Sequence, residues 1–249
     1  MVHLLPLPGA PRWAGSMAAV LERARADATA LAEGGVDAVL VENYGDLPFF
    51  PGGLPPETVA AMAVAADAVA REVALPLGIN ALRNDAASAL SVAAAVGAAF
   101  VRVNIHTGAM LTDQGWIQGR APETMRSRER LAPGVAVLAD VFVKHATPPP
   151  GLTIERAARD AWDRGLADGL IVSGAGTGEP TAFEDLRRVR NALPDAAILV
   201  GSGVAEATVA ELLTVADGAI VGTALEGDGV TGAPVDLARV ERLVGAARG

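Results

Sequence analysis

The chain contains no cysteine. This absence excludes disulfides, thiolate zinc sites and cysteine nucleophiles, and leaves histidine, aspartate, glutamate and asparagine as side-chain metal ligands. Histidine is also scarce, because the 249 residues contain only His3, His106 and His145. A three-histidine zinc site would need all of them, so we predict no metal site. A looser site that combines His3 and His106, both near strand ends, with Glu42 or Asp140 stays open, and the sequence identifies no cofactor.

Long apolar runs are also missing. Charge, glycine or proline interrupts every hydrophobic stretch well before the roughly 18 residues that a membrane-spanning helix needs. Residues 1–15 contain three prolines and lack the basic start and apolar stretch of a secretory signal. We therefore expect no transmembrane segment and a cytoplasmic location.

Basic side chains are fewer than acidic ones, 20 against 29, and the formal net charge is −9. This balance disfavours nucleic acid and anionic lipid as partners, because both attract clustered lysine and arginine. One basic cluster comprises Arg120, Arg126, Arg128 and Arg130. It is typical of a solvated helix face, and an anion contact beside the site is the alternative.

The sequence does contain alternating β-rich runs and amphipathic helical stretches, with a hydrophobic content of 51%. The predicted strands are 2–5, 38–42, 77–80, 100–104, 136–144, 169–173, 197–200 and 219–221. The predicted helices are 16–33, 57–72, 85–96, 123–131, 154–164, 183–191, 206–213 and 235–247, and Asp85 is expected to cap the third. Eight repeats predict an α/β fold, a single (β/α)8 TIM barrel over residues 1–249. A doubly wound open sheet is the competing architecture.

Polar residues end several predicted strands, including Glu42, Asn80 and Asn104. A polar group at the end of a buried strand is costly unless it meets a ligand or water. Because the carboxyl ends of barrel strands share one face, we predict that these side chains gather at a chemical face of the barrel. Glu42 is a candidate general acid or base, and Asn80 and Asn104 are candidate substrate contacts.

The predicted strand 136–144 is the most informative one. Its period of two directs Asp140 and Lys144 to the same side, into the barrel. They either pair with each other or are catalytic: Asp140 as acid or base, and a partly desolvated Lys144 as base, Schiff-base amine or anion contact. His145 would lie at the rim as a substrate contact. Arg102 is expected to pair with Asp140 in a mostly structural role.

Glycine-rich turns follow the last three predicted strands, at residues 173–178, 201–204 and 222–225. Glycines after the last two strands of a barrel let backbone N–H groups approach an anion. The alternative is that they are plain tight turns. Ser173 is a candidate substrate contact, and the predicted phosphate-binding residues are Gly201, Ser202, Gly203, Gly222 and Thr223.

Short motifs along the whole chain resemble the BtpA/SgcQ family. They occupy residues 1–9, 41–46, 80–85, 102–104, 107–109, 112–115, 139–146 and 201–204. The resemblance implies a TIM barrel of the phosphate-binding type. It also implies either a role in photosystem I biogenesis at the thylakoid membrane or nucleosidase activity linked to sugar utilisation. Members of that family have several residues before the motif that begins here at Met1, which implies either a short first strand or a start that lies upstream. The resemblance transfers no catalytic residue to this chain.

Three functions follow from these observations. The leading one is an enzyme that acts on a phosphorylated sugar or nucleoside-like compound, as a nucleosidase, another hydrolase or a lyase. The alternatives are a non-catalytic photosystem I assembly factor and a sensor that binds an anion without turnover. The fold class and the alanine-rich helices also lead us to expect a homo-oligomer.

Overall fold

A curled sheet of parallel strands forms the centre of the computed structural model, which describes residues 1–174 and 183–249. Numbered along the chain, its strands lie in the spatial order β1 (Val2–His3), β2 (Val39–Glu42), β3 (Leu77–Asn80), β4 (Phe100–Val103), β7 (Ala136–Asp140), β9 (Gly169–Ser173), β10 (Ile198–Gly201) and β11 (Gly218–Ile220). The nitrogen of Met1 donates to the carbonyl oxygen of Val221 at 2.8 Å, which brings the first strand beside the last. The fold is the predicted (β/α)8 barrel.

Helices connect the strands and cover the outside of the sheet. They are α1 (Met17–Glu33), α2 (Pro56–Glu72), α3 (Ala86–Val96), α4 (Ala121–Leu131), α5 (Ile154–Arg159), α6 (Phe183–Ala192), α7 (Val209–Leu212) and α8 (Leu237–Arg248). The predicted cap on α3 is confirmed, because the Asp85 carboxylate accepts from the Ser88 backbone N–H at 3.1 Å. Within residues 1–174 and 183–249, no helix combines the length and the apolar character that crossing a bilayer requires.

The core lies between the sheet and the alanine-rich faces of the helices. Val41, Ile79, Val101 and Val137 on adjacent strands are fully buried. Small side chains let the layers approach closely: a Cβ on Gly78 would lie 2.1 Å from the ring of Phe100. This close packing fixes the strand ends, and with them the polar side chains that follow.

A second, antiparallel sheet was missed by the sequence analysis. It comprises β5 (Ala109–Thr112), β6 (Gly115–Gln118) and β8 (Ala146–Thr147), in the order β6-β5-β8. Ile105, Met110, Ile117 and Val143 form a small hydrophobic cluster of their own in the same part of the chain. The loop after β4 therefore has a core separate from that of the barrel.

The prediction that strand 136–144 reaches Lys144 was wrong, because β7 ends at Asp140. The chain leaves the barrel there, His145 adopts a left-handed φ of 56°, and β8 pairs with β5 instead. Lys144 therefore belongs to an irregular connection between two sheets. Of the predicted turn 173–178, residues 175–178 lie outside the described residues.

Candidate functional site

A buried ion pair lies at the carboxyl end of the barrel. The guanidinium of Arg102 donates to both carboxylate oxygens of Asp140, at 3.0 and 3.1 Å, which confirms the predicted pair. Burial would lower the pKa of Arg102, but the carboxylates of Asp140 and Glu42 outweigh it and raise that pKa. The guanidinium therefore stays charged, and its charge is neutralised within the barrel.

Side-chain amides and a hydroxyl complete the shell around this pair. Asn104 donates to Asp140 Oδ2 at 2.8 Å, and Ser173 donates to Oδ1 at 3.3 Å. Asn80 in turn donates to the side-chain oxygen of Asn104 at 2.9 Å. The Oδ1 atom of Asn80 is buried and has no hydrogen-bond partner among the described residues. Three of the four candidate substrate contacts, Asn80, Asn104 and Ser173, thus belong to one hydrogen-bond network. Within the described residues, the side-chain oxygen of Asn80 is the acceptor of this network that has no donor.

The glycine turns after β10 and β11 line a cavity of about 170 Å³, and Arg102 is the member of this network that also lines it. The predicted residues on its wall are Arg102, Lys144, Ser202, Gly203, Gly222 and Thr223. Ser202 and Gly203 have left-handed φ angles of 89° and 65°, the kind of turn that can direct backbone N–H groups into a concavity. Gly201 is the last residue of β10, directly before this wall. His145 is exposed and is not among the lining residues.

Lys144 is the only lysine of the chain. Burial lowers the pKa of its ammonium; the carboxylate of Glu42 opposes this shift, and the charge of Arg102 adds to it. Within the described part of the chain, no carboxylate lies at ion-pair distance from Lys144. Its carbonyl oxygen accepts a hydrogen bond from Arg83, which is only 4% exposed. Lys144 is thus a half-buried cation that is held through its backbone, and no carboxylate of residues 1–174 and 183–249 forms an ion pair with it.

A histidine between two glutamates lies next to the cavity. Nδ1 of His3 is 2.6 Å from Oε1 of Glu226, and its Nε2 is 3.7 Å from Oε1 of Glu42. The other oxygen of Glu42 is buried without a hydrogen-bond partner among the described residues. His3 ends β1 and lines the cavity. Sequence reasoning left His3 out of the predicted site and missed Glu226, which lies in a loop without periodicity.

No group of three or more histidine, aspartate or glutamate side chains in residues 1–174 and 183–249 has an arrangement that could hold a metal ion. His3, Arg102 and Lys144 line the cavity, and buried carboxylates lie directly behind two of them: Glu226 and Glu42 beside His3, and Asp140 beside Arg102. This arrangement suits an anionic ligand beside a proton acceptor.

Comparison with known proteins agrees with the fold and identifies the family. The chain is 47% identical over 244 residues to the photosystem I biogenesis protein BtpA of Synechocystis sp., covering 98% of this chain and 85% of that protein. It is 35% identical over 247 residues to the sgc region protein SgcQ of Escherichia coli, covering 98% of this chain and 91% of that one. A solved structure of thiamine phosphate pyrophosphorylase from Pyrococcus furiosus superposes with a TM-score of 0.59 at 17% identity, covering 92% of this chain and 89% of that chain, which shows the fold alone. The BtpA family matches residues 1–249, and the chain belongs to this family.

Proposed function

We propose that this chain is an enzyme that acts on a small phosphorylated sugar or nucleoside-like compound. The observation that carries the proposal is the shared wall of one cavity: the turns after β10 and β11 meet there with the side chains of Lys144 and Arg102. In a chain of net charge −9, two cations and two glycine turns around one cavity favour an anion.

The phosphate would lie against the backbone N–H groups of Ser202, Gly203, Gly222 and Thr223, which is where barrels of this kind commonly hold one. Lys144 has no carboxylate at ion-pair distance among the described residues, so a dianion there would supply its counter-charge. The name of the thiamine phosphate enzyme with the same fold is in keeping with a phosphorylated ligand. Of the three roles considered for Lys144, the contacts thus favour the anion contact.

Glu42 is better suited than Asp140 to exchange a proton with the ligand. Both oxygens of Asp140 already accept hydrogen bonds from charged or neutral donors. Glu42 instead keeps one buried oxygen without a partner in the described residues, and a donor on a ligand or a water could satisfy it. We assign acid–base chemistry to Glu42 and a positioning role to Asp140, with the free oxygen of Asn80 accepting from a ligand hydroxyl.

Calorimetric titration with inorganic phosphate, ribose 5-phosphate and ribose tests the binding step. We expect both phosphates to bind and ribose to bind far more weakly, and Lys144→Met to weaken phosphate binding by at least tenfold. Arg71→Met is the matched control, because it removes one positive charge from an exposed pair on α2. Equal binding of ribose and ribose 5-phosphate would contradict the proposal.

Turnover is tested on a panel of nucleoside monophosphates and sugar phosphates by following release of base or of inorganic phosphate. Glu42→Gln should abolish turnover and leave phosphate affinity largely intact, since only the proton-transfer step is lost. A protein that binds phosphate but turns over no member of the panel would instead favour the sensor.

A scaffold in photosystem I biogenesis is the second candidate, and the 47% identity to the cyanobacterial BtpA protein favours it. Complementation of a Synechocystis strain that lacks BtpA separates the two. If Lys144→Met complements as fully as the wild-type chain, the cavity is dispensable and the scaffold is favoured. The cytoplasmic location, the homo-oligomer and the lack of a nucleic-acid partner stay predictions; sedimentation velocity tests the second.

A further inference from the structure

His3 is held in one orientation by a buried carboxylate. The imidazole is 6% exposed and Glu226 is 1% exposed. One oxygen of Glu226 is 2.6 Å from Nδ1 of His3, and the other accepts the backbone N–H of Gly232 at 3.0 Å. The ring of Tyr44 lies with its centroid 4.7 Å from that of His3. Glu226 is itself fixed, and it fixes the ring in turn.

This contact decides which nitrogen of His3 faces the ligand. A carboxylate accepts a hydrogen bond from Nδ1–H, so Nδ1 carries a proton, and in the neutral ring Nε2 is the atom with the lone pair. A Cβ on Gly222 would lie 2.8 Å from Cε1 and 3.3 Å from Nε2 of His3. Nε2 therefore lies against the glycine turn that we propose to hold the phosphate, and also 3.7 Å from Glu42.

We propose that His3 is a catalytic proton-transfer residue for a phosphorylated compound of sugar size, and that Glu226 is its positioning residue. The proposal rests on the proposed function. Nε2 accepts a proton from a hydroxyl, an amine or a water next to the phosphate, and the resulting imidazolium lies between the carboxylates of Glu226 and Glu42. The oxygen or nitrogen that gave up this proton bonds to the carbon that carries the leaving group, the bond from that carbon to the leaving group breaks, and the imidazolium passes the proton to the leaving atom, so the imidazole ends each cycle unchanged. At about 170 Å³ the cavity is smaller than the roughly 300 Å³ of a site for a drug-sized molecule, which favours a small phosphate ester.

The tautomer of His3 is measurable in the free protein, independently of any ligand. A chain with only three histidines gives three imidazole patterns in long-range nitrogen–proton NMR, assigned by single His→Gln variants. His106 is an internal reference with the proton on the other ring nitrogen. Its Nε2 lies 2.8 Å from the carbonyl oxygen of Gly165, which can only accept, so Nε2 must carry the proton. We expect a protonated Nδ1 for His3 and, in any neutral fraction, a bare Nε2. A bare Nδ1 on His3 overturns the inference.

Glu226→Gln tests the positioning role through the same spectrum. A glutamine amide can either accept from or donate to Nδ1, so both tautomers of His3 should become populated. Glu155→Gln is the matched control on α5, where the carboxylate pairs with Arg188 at the surface, and it should leave the His3 pattern unchanged. A His3 pattern that does not respond to Glu226→Gln contradicts the role of Glu226.

Addition of inorganic phosphate separates the inference from the proposed function. We expect phosphate to shift the His3 resonances and to leave those of His106 in place. If phosphate shifts none of the three histidines while Nδ1 of His3 is protonated, the anion site fails and the proton-transfer role falls with it. If calorimetry detects phosphate binding but Nδ1 is bare, only the inference is overturned.

The last test is kinetic. It uses the phosphate ester that the wild-type chain turns over among the compounds of the panel. His3→Gln should lower kcat by about 10²–10⁴-fold, the contribution of a general acid or base, with little change in KM. His106→Gln is the control, since His106 is bonded to a backbone carbonyl outside the cavity. Unchanged kcat in His3→Gln refutes the catalytic role.

Discussion

Replacing Asp140 with asparagine should lower the free energy of unfolding of the barrel, in addition to any effect on turnover. The carboxylate accepts two hydrogen bonds from Arg102, which is 3% exposed, and one each from Asn104 and Ser173. An asparagine keeps the shape but loses the charge. Its amide nitrogen would also face donors, whichever oxygen it replaced. Breaking a buried ion pair from one side costs about 3–5 kcal/mol of unfolding free energy.

For a chain of this length each kcal/mol corresponds to roughly 2–4 °C, so Asp140→Asn should lower Tm by about 6–20 °C. Urea unfolding followed by circular dichroism gives the free energy, and a thermal scan gives Tm. Asp67→Asn is the matched control, because it breaks an exposed pair with Arg71 on α2 and should produce no measurable change. The double variant Arg102→Met with Asp140→Leu should recover much of the loss, since it buries no charge. Unchanged stability of Asp140→Asn together with lost turnover would refute the structural assignment and make Asp140 a catalytic residue.

Three further predictions concern other positions. Burial lowers the pKa of Lys144 from 10.5. The folded chain therefore holds this proton less tightly than the unfolded chain, and the charged ammonium lowers the free energy of unfolding. This loss of stability diminishes as the pH rises from the lowered pKa toward 10.5. Lys144→Met should therefore raise Tm at pH 7 and raise it less near pH 10; an equal or larger gain at pH 10 would contradict this. Gly78→Ala should cost about 1–3 kcal/mol in urea unfolding, because the new methyl group would meet the Phe100 ring, and full stability would show that the ring can move aside. Gly203→Ala forces a side chain into φ 65° and should weaken phosphate binding in calorimetry, whereas unchanged affinity would remove Gly203 from the anion site.

The repeating part of the fold was predictable because local signals suffice for it. Apolar runs of four or five residues gave β2, β3 and β9 within about a residue of their ends, a margin that boundary assignments commonly show. The Asp85 cap and the Arg102–Asp140 pair were also predictable, since a cap is local and adjacent strands fix the pairing. The period of two places Arg102 and Asp140 on the inner side of adjacent strands, with Asp140 two residues beyond Leu138, the partner of Arg102 in the register.

The missed elements depend on contacts between distant residues. β8 has two residues and exists because it pairs with β5, so nothing local marks it. The hairpin β5–β6 did carry a signal, namely the two residues Asp113 and Gln114 followed by Gly115, which has a φ of 88°. Glu226 meets His3 across 223 residues of chain, from a loop with no pattern of its own. A site assembled in this way becomes visible only when the first and last strands are brought together.

The end of β7 at Asp140 also explains how one site combines rigidity with access. Asp140 is buried inside the ring of strands, where Arg102, Asn104 and Ser173 fix it. Lys144 follows only four residues later, but its support comes from Arg83 and from the outer sheet through β8. Had β7 continued to Lys144, the ammonium would have entered the barrel interior beside Arg102, where two cations would repel each other at low dielectric. Ending the strand early places one cation in the core with its counter-ion and leaves the other at the cavity wall, where a ligand can neutralise it.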